Sequence, residues 1–302
     1  MTTHQPQPGV LHHVAPWPHV SAFEFGPRSS PSDPLVLFVG GLGDTLLSVQ
    51  YLGALAVALR EAGWGLAQAN LTSSGMGWGG ATVAGDAEEI AKIVRYFLER
   101  GTSKVVLVGH STGCQDAIAY LHLASAQSFP KLAGIILQAP VSDREIDVVT
   151  ELAKKVADEA AALATPPNPT DLAPASCSKL FHSKAGVTWQ RWRSLAELPD
   201  SDDVDVHKSE DFFSASLSDR RLANVFAPLN CPLSVVLSGD DSSYPSSVKA
   251  NLPGLLERFK RAAPQEWWHA TSRIIDGGKH DLGGEPQTSE FVGLVVEFVK
   301  SL

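Results

Sequence analysis

The residues best suited to chemistry lie in the stretch VVLVGHSTGCQD, at positions 105–116. A run of apolar β-formers leads into Gly109, and a helical pattern follows Gly113. Between these glycines, Ser111 occupies a sharp strand-to-helix turn that exposes its hydroxyl above the end of the strand. Gly109 lets the strand and the helix pack closely, and Gly113 lets the helix approach the neighbouring strand. The pattern predicts a serine nucleophile, and the alternative is an ordinary strand-to-helix turn.

A serine hydroxyl is a weak nucleophile unless a base removes its proton, and an acid orients that base. In a turn of this kind the partners follow along the chain in the order serine, acid, histidine. Asp240 and Asp241 follow the predicted strand LSVVLS, and His280 follows SRIIDGG. Because the carboxyl ends of parallel strands share one sheet edge, these side chains are expected beside Ser111. Either aspartate is a candidate acid, and the other is a candidate cap of the turn.

The same chemistry requires backbone amides that stabilise the oxyanion of a tetrahedral intermediate. The Thr112 amide directly follows the nucleophile, at a helix N-terminus that favours developing negative charge. A second amide is expected from the loop LVLFVGGLGDT, where Leu42 is the first candidate and Gly41 the second. This loop lacks the Lys-Ser/Thr pair of a P-loop and the G-x-G-x-x-G spacing, which excludes nucleotide binding.

Aromatic and basic side chains indicate where a substrate would bind. Trp78 lies in a glycine-rich loop, and Trp189 and Trp192 lie in the stretch TWQRWRSL. Tryptophan side chains stack on acyl or cyclic groups, but they also fill protein cores, and both interpretations stay open. Arg191 is a candidate partner for a substrate carboxylate, with a solvated surface position as the alternative.

These residues must be positioned by apolar strands that alternate with amphipathic helices. The seven predicted strands are Val20–Phe25, Leu35–Gly40, Leu66–Leu71, Val105–Gly109, Gly134–Gln138, Leu233–Ser238 and Arg273–Asp276. The six predicted helices are Val49–Ala62, Asp86–Arg100, Gln115–Ala126, Glu145–Leu163, Val248–Ala262 and Ser289–Leu302. This alternation predicts an α/β fold with a mostly parallel sheet flanked by helices. Residues from about 141 to 230 show no clear strand, which predicts a lid-like insertion within a single domain of residues 1–302.

Composition and charge disfavour several classes of protein. The 302 residues carry a formal net charge of −9, which argues against a nucleic-acid partner. No stretch approaches the roughly 20 apolar residues that span a bilayer, and the N-terminus has no secretory-signal pattern. Three scattered cysteines form neither a disulfide framework nor a metal site. The sequence predicts a cytoplasmic protein without membrane contact, metal or cofactor, whose partner is a small-molecule ester; its oligomeric state stays open.

The GHSTG turn, the paired aspartates and His280 together resemble the α/β-hydrolase superfamily over most of the chain. The stretches NLTSSGMGWGGATVAGDAEEI, TWQRWRSL, SEDFFSASLSD and LSGDDSSYP resemble a mainly fungal, uncharacterised family that includes fusarinine-type siderophore esterases. In that family the acid stands two residues after a glycine and four before a proline. Asp241 matches this spacing between Gly239 and Pro245, although Ser-Ser-Tyr replaces the family's acidic-aromatic-valine sequence before the proline.

The resemblance implies a serine hydrolase that cleaves carboxylic esters through an acyl-enzyme, with Ser111, His280 and Asp241 as its triad and Asp240 as the alternative acid. It also implies a hydroxamate-siderophore ester as a candidate substrate. The same triad serves lactonases, amidases and acyltransferases, so these activities remain alternatives. A non-catalytic ligand-binding protein with the same fold is the alternative outside the enzymes.

Overall fold

A single mixed sheet forms the centre of the computed structural model, which describes residues 6–26, 28–161, 167–180 and 184–302. Its eight strands are β1 (Gly9–Ala15), β2 (Val20–Phe25), β3 (Leu35–Val39), β4 (Gly65–Asn70), β5 (Val105–His110), β6 (Gly134–Gln138), β7 (Leu233–Ser238) and β8 (Arg273–Ile275). Their order across the sheet is β1-β2-β4-β3-β5-β6-β7-β8. The β1–β2 and β2–β4 pairings are antiparallel, and the other five pairings are parallel.

Helices cover both faces of this sheet. In the described residues they are α1 (Leu52–Glu61), α2 (Val83–Glu99), α3 (Thr112–Ala124), α4 (Asp147–Ala161), α5 (Ala175–Leu180), α6 (Trp189–Ala196), α7 (Asp219–Phe226), α8 (Ser246–Lys249), α9 (Leu252–Ala262) and α10 (Gln287–Lys300). Apolar side chains of α2, α3, α7 and α9 pack in one core cluster, and those of α1 and α10 pack in a second.

Strand β3 contributes side chains to both apolar clusters, one on each face of the sheet. All five of its residues are buried, because successive side chains of a strand point to opposite faces of the sheet. Leu35, Leu37 and Val39 join the first cluster, whereas Val36 and Phe38 join the second. A continuous apolar run is therefore the expected signature of this central strand.

Residues 139–232, between β6 and β7, form a segment that we call the insertion. Its described part contributes α4 to α7 and a one-turn 3-10 helix, Asp143–Glu145, but no strand of the sheet. Apolar side chains of α4, α5 and α6 form a third cluster, which Trp78 joins from outside the segment, whereas those of α7 belong to the first cluster. The division into one domain with an inserted lid stays a prediction.

The predicted α/β architecture with a mostly parallel sheet is confirmed. All seven predicted strands are present to within one residue at each end. Strand β1 was not predicted, because its residues are exposed or half-buried at the sheet edge and lack an apolar run. The predicted helix Val248–Ala262 divides into α8 and α9, where Asn251 caps α9 and a proline follows at its start.

Two further predictions concern the helices. The predicted helix Glu145–Leu163 corresponds to α4, and its residues 162 and 163 lie outside the described residues. None of the helices in the described ranges is both long enough and apolar enough to cross a bilayer.

Candidate active site

The turn between β5 and α3 places Ser111 in a strained backbone conformation. Its φ of 53° and ψ of −122° are rare for a residue with a side chain. The Ser111 N–H donates to the Gln138 carbonyl at 3.1 Å, which ties the turn to the end of β6. The Ser111 carbonyl accepts the Cys114 N–H at 2.8 Å and begins the helix. These contacts hold the serine where the strand ends and the helix starts.

The two glycines of the turn are required by close backbone contacts. A Cβ atom at Gly109 would lie 2.3 Å from the Gly113 carbonyl oxygen, so any side chain would separate the strand from the helix. A Cβ atom at Gly113 would lie 2.4 Å from the Val39 carbonyl oxygen of the neighbouring strand. Each glycine therefore makes the approach that the sequence predicted for it.

Ser111, His280 and Asp241 form a continuous chain of hydrogen bonds. His280 Nε2 lies 2.8 Å from Ser111 Oγ, and His280 Nδ1 lies 2.7 Å from Asp241 Oδ2. Asp241 Oδ1 accepts the Ser243 N–H at 2.8 Å, which fixes the carboxylate in its loop. Asp241 follows β7 and His280 follows β8, so the three side chains meet at one edge of the parallel strands.

The two candidate acids have different surroundings. The Asp240 side chain is 69% exposed, and its Oδ1 lies 3.7 Å from Lys249 Nζ. Asp241 is fully buried against His280. The structure thus brings Asp241 to Ser111 and His280, and leaves Asp240 at the surface.

Hydrogen bonds and charges within the triad shift the pKa values of both Asp241 and His280. Burial alone would raise the pKa of Asp241, but its hydrogen bond to His280, the charge of His280 and the Ser243 amide together lower it. Burial alone would lower the pKa of His280, but the hydrogen bond and charge of Asp241 raise it above its ordinary value. An ionised carboxylate beside a more basic imidazole is the arrangement that general base catalysis uses.

The candidate oxyanion donors lie around the serine. The Gly41 backbone approaches it closely, since a Cβ atom there would lie 2.7 Å from Ser111 Cβ. The Gly41 N–H already donates to Asp44 Oδ2 at 2.7 Å. In the part of the chain that the structure describes, the Leu42 and Thr112 N–H groups have no acceptor. These two amides are thus free to bind an oxyanion.

A cleft of about 820 Å³ opens above Ser111 and His280. Loops after β3, β4 and β7 line it, together with Val141, Asp143, Ile146 and Lys184 of the insertion. Trp78 contributes to this lining, but its side chain is only 3% exposed and packs in the third apolar cluster, so its role in substrate binding stays a prediction. Trp189 and Trp192 do not line it, and both are buried in the same apolar cluster.

Arg191 also lies away from the cleft. Its side chain is only 1% exposed and pairs with Glu210, which is 2% exposed. Asp86 of α2 and Asp116 of α3 lie within reach of its charge. We call Arg191, Glu210, Asp86 and Asp116 the Arg191 cluster. Because the guanidinium already faces these carboxylates, the structure does not place Arg191 where it would bind a substrate carboxylate.

Sequence reasoning missed a polar bridge below the site. Gln138 Oε1 accepts from the His110 ring at 2.6 Å and from the Tyr51 hydroxyl at 3.2 Å. Gln138 Nε2 donates to the His280 carbonyl at 3.0 Å and so supports the histidine loop. Burial, with the nearby charge of His280, lowers the pKa of His110 to about 4, so its ring is neutral at pH 7. The signal in the sequence is a glutamine at the end of the buried strand GIILQ.

Comparison with known proteins identifies the family to which this sequence belongs. The family model described as "Protein of unknown function (DUF1749)" matches residues 1–301. The chain belongs to this family. The resemblance noted from the sequence is thereby confirmed.

Three fungal proteins, two of them named as esterases, are similar to this DUF1749 protein along nearly its whole length. Esterase AN6793 of Emericella nidulans is 30% identical, over 96% of this chain and 91% of that protein. Fusarinine C esterase sidJ of Aspergillus fumigatus is 32% identical, over 93% of this chain and 91% of that protein. The UPF0613 protein PB24D3.06c of Schizosaccharomyces pombe is 32% identical, over 98% of this chain and 96% of that protein.

A solved structure agrees with these sequence matches. Siderophore hydrolase EstB from Aspergillus fumigatus superimposes with a TM-score of 0.78 at 31% identity, over 99% of this chain and 98% of that chain. An α/β-hydrolase fold protein of unknown function superimposes with a TM-score of 0.63 at 19% identity, which supports the fold alone. The DUF1749 chain has the α/β-hydrolase fold and is a carboxylic ester hydrolase.

Proposed function

We propose that the protein hydrolyses esters through an acyl-enzyme, with Ser111 as the nucleophile, His280 as the general base and Asp241 as the acid. The observation that carries this proposal is the run of contacts from Ser111 Oγ through the imidazole to Asp241, at 2.8 and 2.7 Å. A base within hydrogen-bond distance of the hydroxyl, itself oriented by a buried carboxylate, activates a serine that is otherwise a weak nucleophile.

In the first half-reaction, His280 Nε2 takes the proton of Ser111 as Oγ attacks the ester carbonyl. Asp241 stabilises the imidazolium that forms, and the Leu42 and Thr112 N–H groups donate to the oxyanion of the tetrahedral intermediate. His280 then protonates the leaving alcohol, and an acyl group remains on Ser111. In the second half, His280 activates a water that releases the acid. His280 supplies each proton transfer, so the mechanism uses no metal or cofactor.

Gly41 has a supporting role in this proposal rather than the role of a donor. Its N–H is engaged by Asp44, while its missing side chain leaves room for the serine and the loop to approach each other. This geometry favours Leu42 over Gly41 as the donor from the loop after β3.

The substrate that we propose is an ester bond of a hydroxamate siderophore of the fusarinine type. Two relatives support this choice by their names, a fusarinine C esterase and a siderophore hydrolase, each above 30% identity. The cleft of about 820 Å³ is large enough for part of a bulky cyclic ester. We also keep the sequence-based prediction of a cytoplasmic protein; the three cysteines are free and buried, which suits a reducing compartment.

The experiment is mass-spectrometric hydrolysis of fusarinine C, both iron-free and iron-loaded. It compares the wild type with Ser111→Ala and with Ser246→Ala, a control that removes an exposed hydroxyl outside the cleft. We expect ring opening by the wild type and by Ser246→Ala, and none by Ser111→Ala. If the wild type leaves fusarinine C intact but cleaves simple alkyl or aryl esters, the siderophore assignment is wrong and the esterase assignment stands.

Labelling with a fluorophosphonate separates the enzyme from a non-catalytic binding protein. Covalent mass gain at Ser111 supports the proposed nucleophile, since only an activated serine reacts rapidly. Absence of labelling at Ser111 in folded protein would contradict the triad. The lactonase, amidase and acyltransferase alternatives are tested with matched lactone and amide substrates and with an added alcohol acceptor.

A further inference from the structure

Asp143 is a charged residue of the cleft that the proposed mechanism does not use. It begins the one-turn 3-10 helix Asp143–Glu145 at the start of the insertion. Its side chain lines the same cleft as Ser111 and His280. The position is half-buried, so the carboxylate is partly withdrawn from water.

The charged neighbours of Asp143 in sequence bind partners elsewhere in the insertion, whereas the Asp143 carboxylate accepts a hydrogen bond from its own backbone N–H and has no cationic partner among the described residues. Arg144 Nε donates to Asp211 Oδ2 at 2.8 Å, and the Glu145 carboxylate accepts the N–H groups of Ala215 and Ser216 at 2.9 and 3.0 Å. Among the described residues, no Lys, Arg or His nitrogen lies within 4.0 Å of the Asp143 carboxylate. A carboxylate that is partly buried without a cationic partner is unfavourable unless a ligand supplies one.

The wider charges around Asp143 leave this carboxylate open to the cleft. Burial raises its pKa, while the charges of Arg191 and His280 act against that rise from beyond contact distance. Arg191 is already paired with Glu210, and His280 is bonded to Ser111 and Asp241. Lys184, which also lines the cleft, is exposed to water. No group of the described chain therefore neutralises Asp143 directly.

We propose that Asp143 binds a cationic group of the substrate, so that the cleft prefers esters that carry an ammonium close to the scissile bond. The inference rests on the proposed function, because it takes the reacting carbonyl to lie between Ser111 and His280. A negatively charged side chain in a partly desolvated cleft attracts a cation more strongly than one in bulk water. Asp143 thus acts on specificity, not on the bond-breaking steps.

The test uses organophosphorus probes that phosphorylate an activated serine. One pair carries either a trimethylammonium-ethylthio or an isosteric 3,3-dimethylbutylthio leaving group. A second pair carries the same charged and neutral groups on the substituent that stays bound to phosphorus after Ser111 reacts. Rates of mass gain at Ser111 are measured for the wild type, for Asp143→Asn and for Asp147→Asn. Asp147 is exposed, so its substitution changes the net charge equally without altering the cleft.

In the wild type we expect the cationic probe of at least one pair to react about tenfold faster than its neutral isostere, which corresponds to about 1.4 kcal/mol. We expect Asp143→Asn to reduce this ratio to near one and Asp147→Asn to preserve it. Any effect of Asp143→Asn on the basicity of His280 alters both probes equally and cancels in the ratio.

The two proposals fail differently in this experiment. If the neutral probes do not label Ser111, the proposed function is wrong. If they label Ser111 but no pair shows a charge preference, or if the preference survives in Asp143→Asn, the cation site is wrong and the nucleophile stands. A preference lost equally in Asp147→Asn would assign it to the net charge of the protein instead.

Discussion

Two polar, largely buried groups of side chains balance their charges differently. One is the triad of Ser111, His280 and Asp241, and the other is the Arg191 cluster. In the first, each side chain faces the next along one hydrogen-bonded line. In the second, a single guanidinium faces the carboxylates of Glu210, Asp86 and Asp116, and the charge of Asp143 reaches it as well. Arg191 Nε and one oxygen of Asp116 have no hydrogen-bond partner in the described part of the chain.

The pKa shifts record this difference. At Asp241 burial raises the pKa, but its partners outweigh burial and lower it. At Asp86 burial dominates over the charge of Arg191, and the pKa rises to about 7. Asp116 is shifted in the same direction, again chiefly by burial. Similar burial is thus accompanied by a lowered pKa where one carboxylate has its own partner, and by raised pKa values where several carboxylates share one cation.

The comparison is tested most strongly at the two aspartates after β7. Asp241→Asn keeps the shape of the side chain but removes the charge that orients and stabilises the His280 imidazolium. We expect kcat for an ester that the wild type cleaves to fall on the order of 10⁴-fold. Asp240→Asn, the matched change at the exposed neighbour, is expected to remain within about twofold. Steady-state kinetics on both variants decide this, and equal losses would contradict the assignment of Asp241 as the acid.

The second prediction concerns the cation of the Arg191 cluster. Arg191→Met leaves buried carboxylates without their cation, so we expect the free energy of unfolding to fall by about 3–5 kcal/mol. Arg193→Met removes a half-exposed arginine that lies 3.7 Å from Glu197, and its expected cost is below about 1 kcal/mol. Urea unfolding monitored by tryptophan fluorescence measures both values. Similar costs for the two substitutions would show that burial of the Arg191 pair does not matter for stability.

The third prediction follows the proton on Asp86. Because its pKa rises from 3.8 to about 7 on folding, the folded state holds a proton that the unfolded state releases. Its stabilising contribution is therefore present below about pH 4 and lost as the pH rises through 7. Relative to Asp86→Asn, the unfolding free energy of the wild type should fall by about 1 kcal/mol per pH unit between pH 5 and 7.

The pH dependence attributed to Asp86 is checked against a substitution at an exposed aspartate. Asp158→Asn, at an exposed position of α4, should show the same pH dependence as the wild type. If the difference between the wild type and Asp86→Asn is constant from pH 5 to pH 8, Asp86 is ionised throughout and Arg191 neutralises it fully.

Much of the fold was predictable because the central strands have an unmistakable pattern. The run VVLV is apolar along its length, and VVL forms the apolar centre of β7, as expected for strands buried on both faces. The glycines around Ser111, and the position of Asp241 and His280 after successive strands, also allowed the sequence to place these groups at one edge. By contrast, β1 has no such pattern, since an edge strand with exposed side chains can carry histidines and glycine.

The surroundings of Arg191 were not predictable in the same way. Its carboxylate neighbours come from positions 86, 116 and 210, which no local pattern connects. In the sequence Arg191 alternates with tryptophans and resembles a surface residue of an amphipathic helix, whereas tertiary packing buries it. Gln138 and Asp143 escaped notice for a related reason, because single polar residues gain their meaning only from the groups that the fold brings near them.

The backbone contacts at the Ser111 turn also have a consequence for directed evolution. A methyl group at 109 or 113 would overlap a carbonyl oxygen, so the geometry around the nucleophile tolerates almost no drift. The wall of the cleft that includes Asp143, Ile146 and Lys184 comes from the insertion, so changes there leave the sheet untouched. New selectivity can therefore be sought by randomising that wall, while the reactive edge is inherited unchanged from one library to the next.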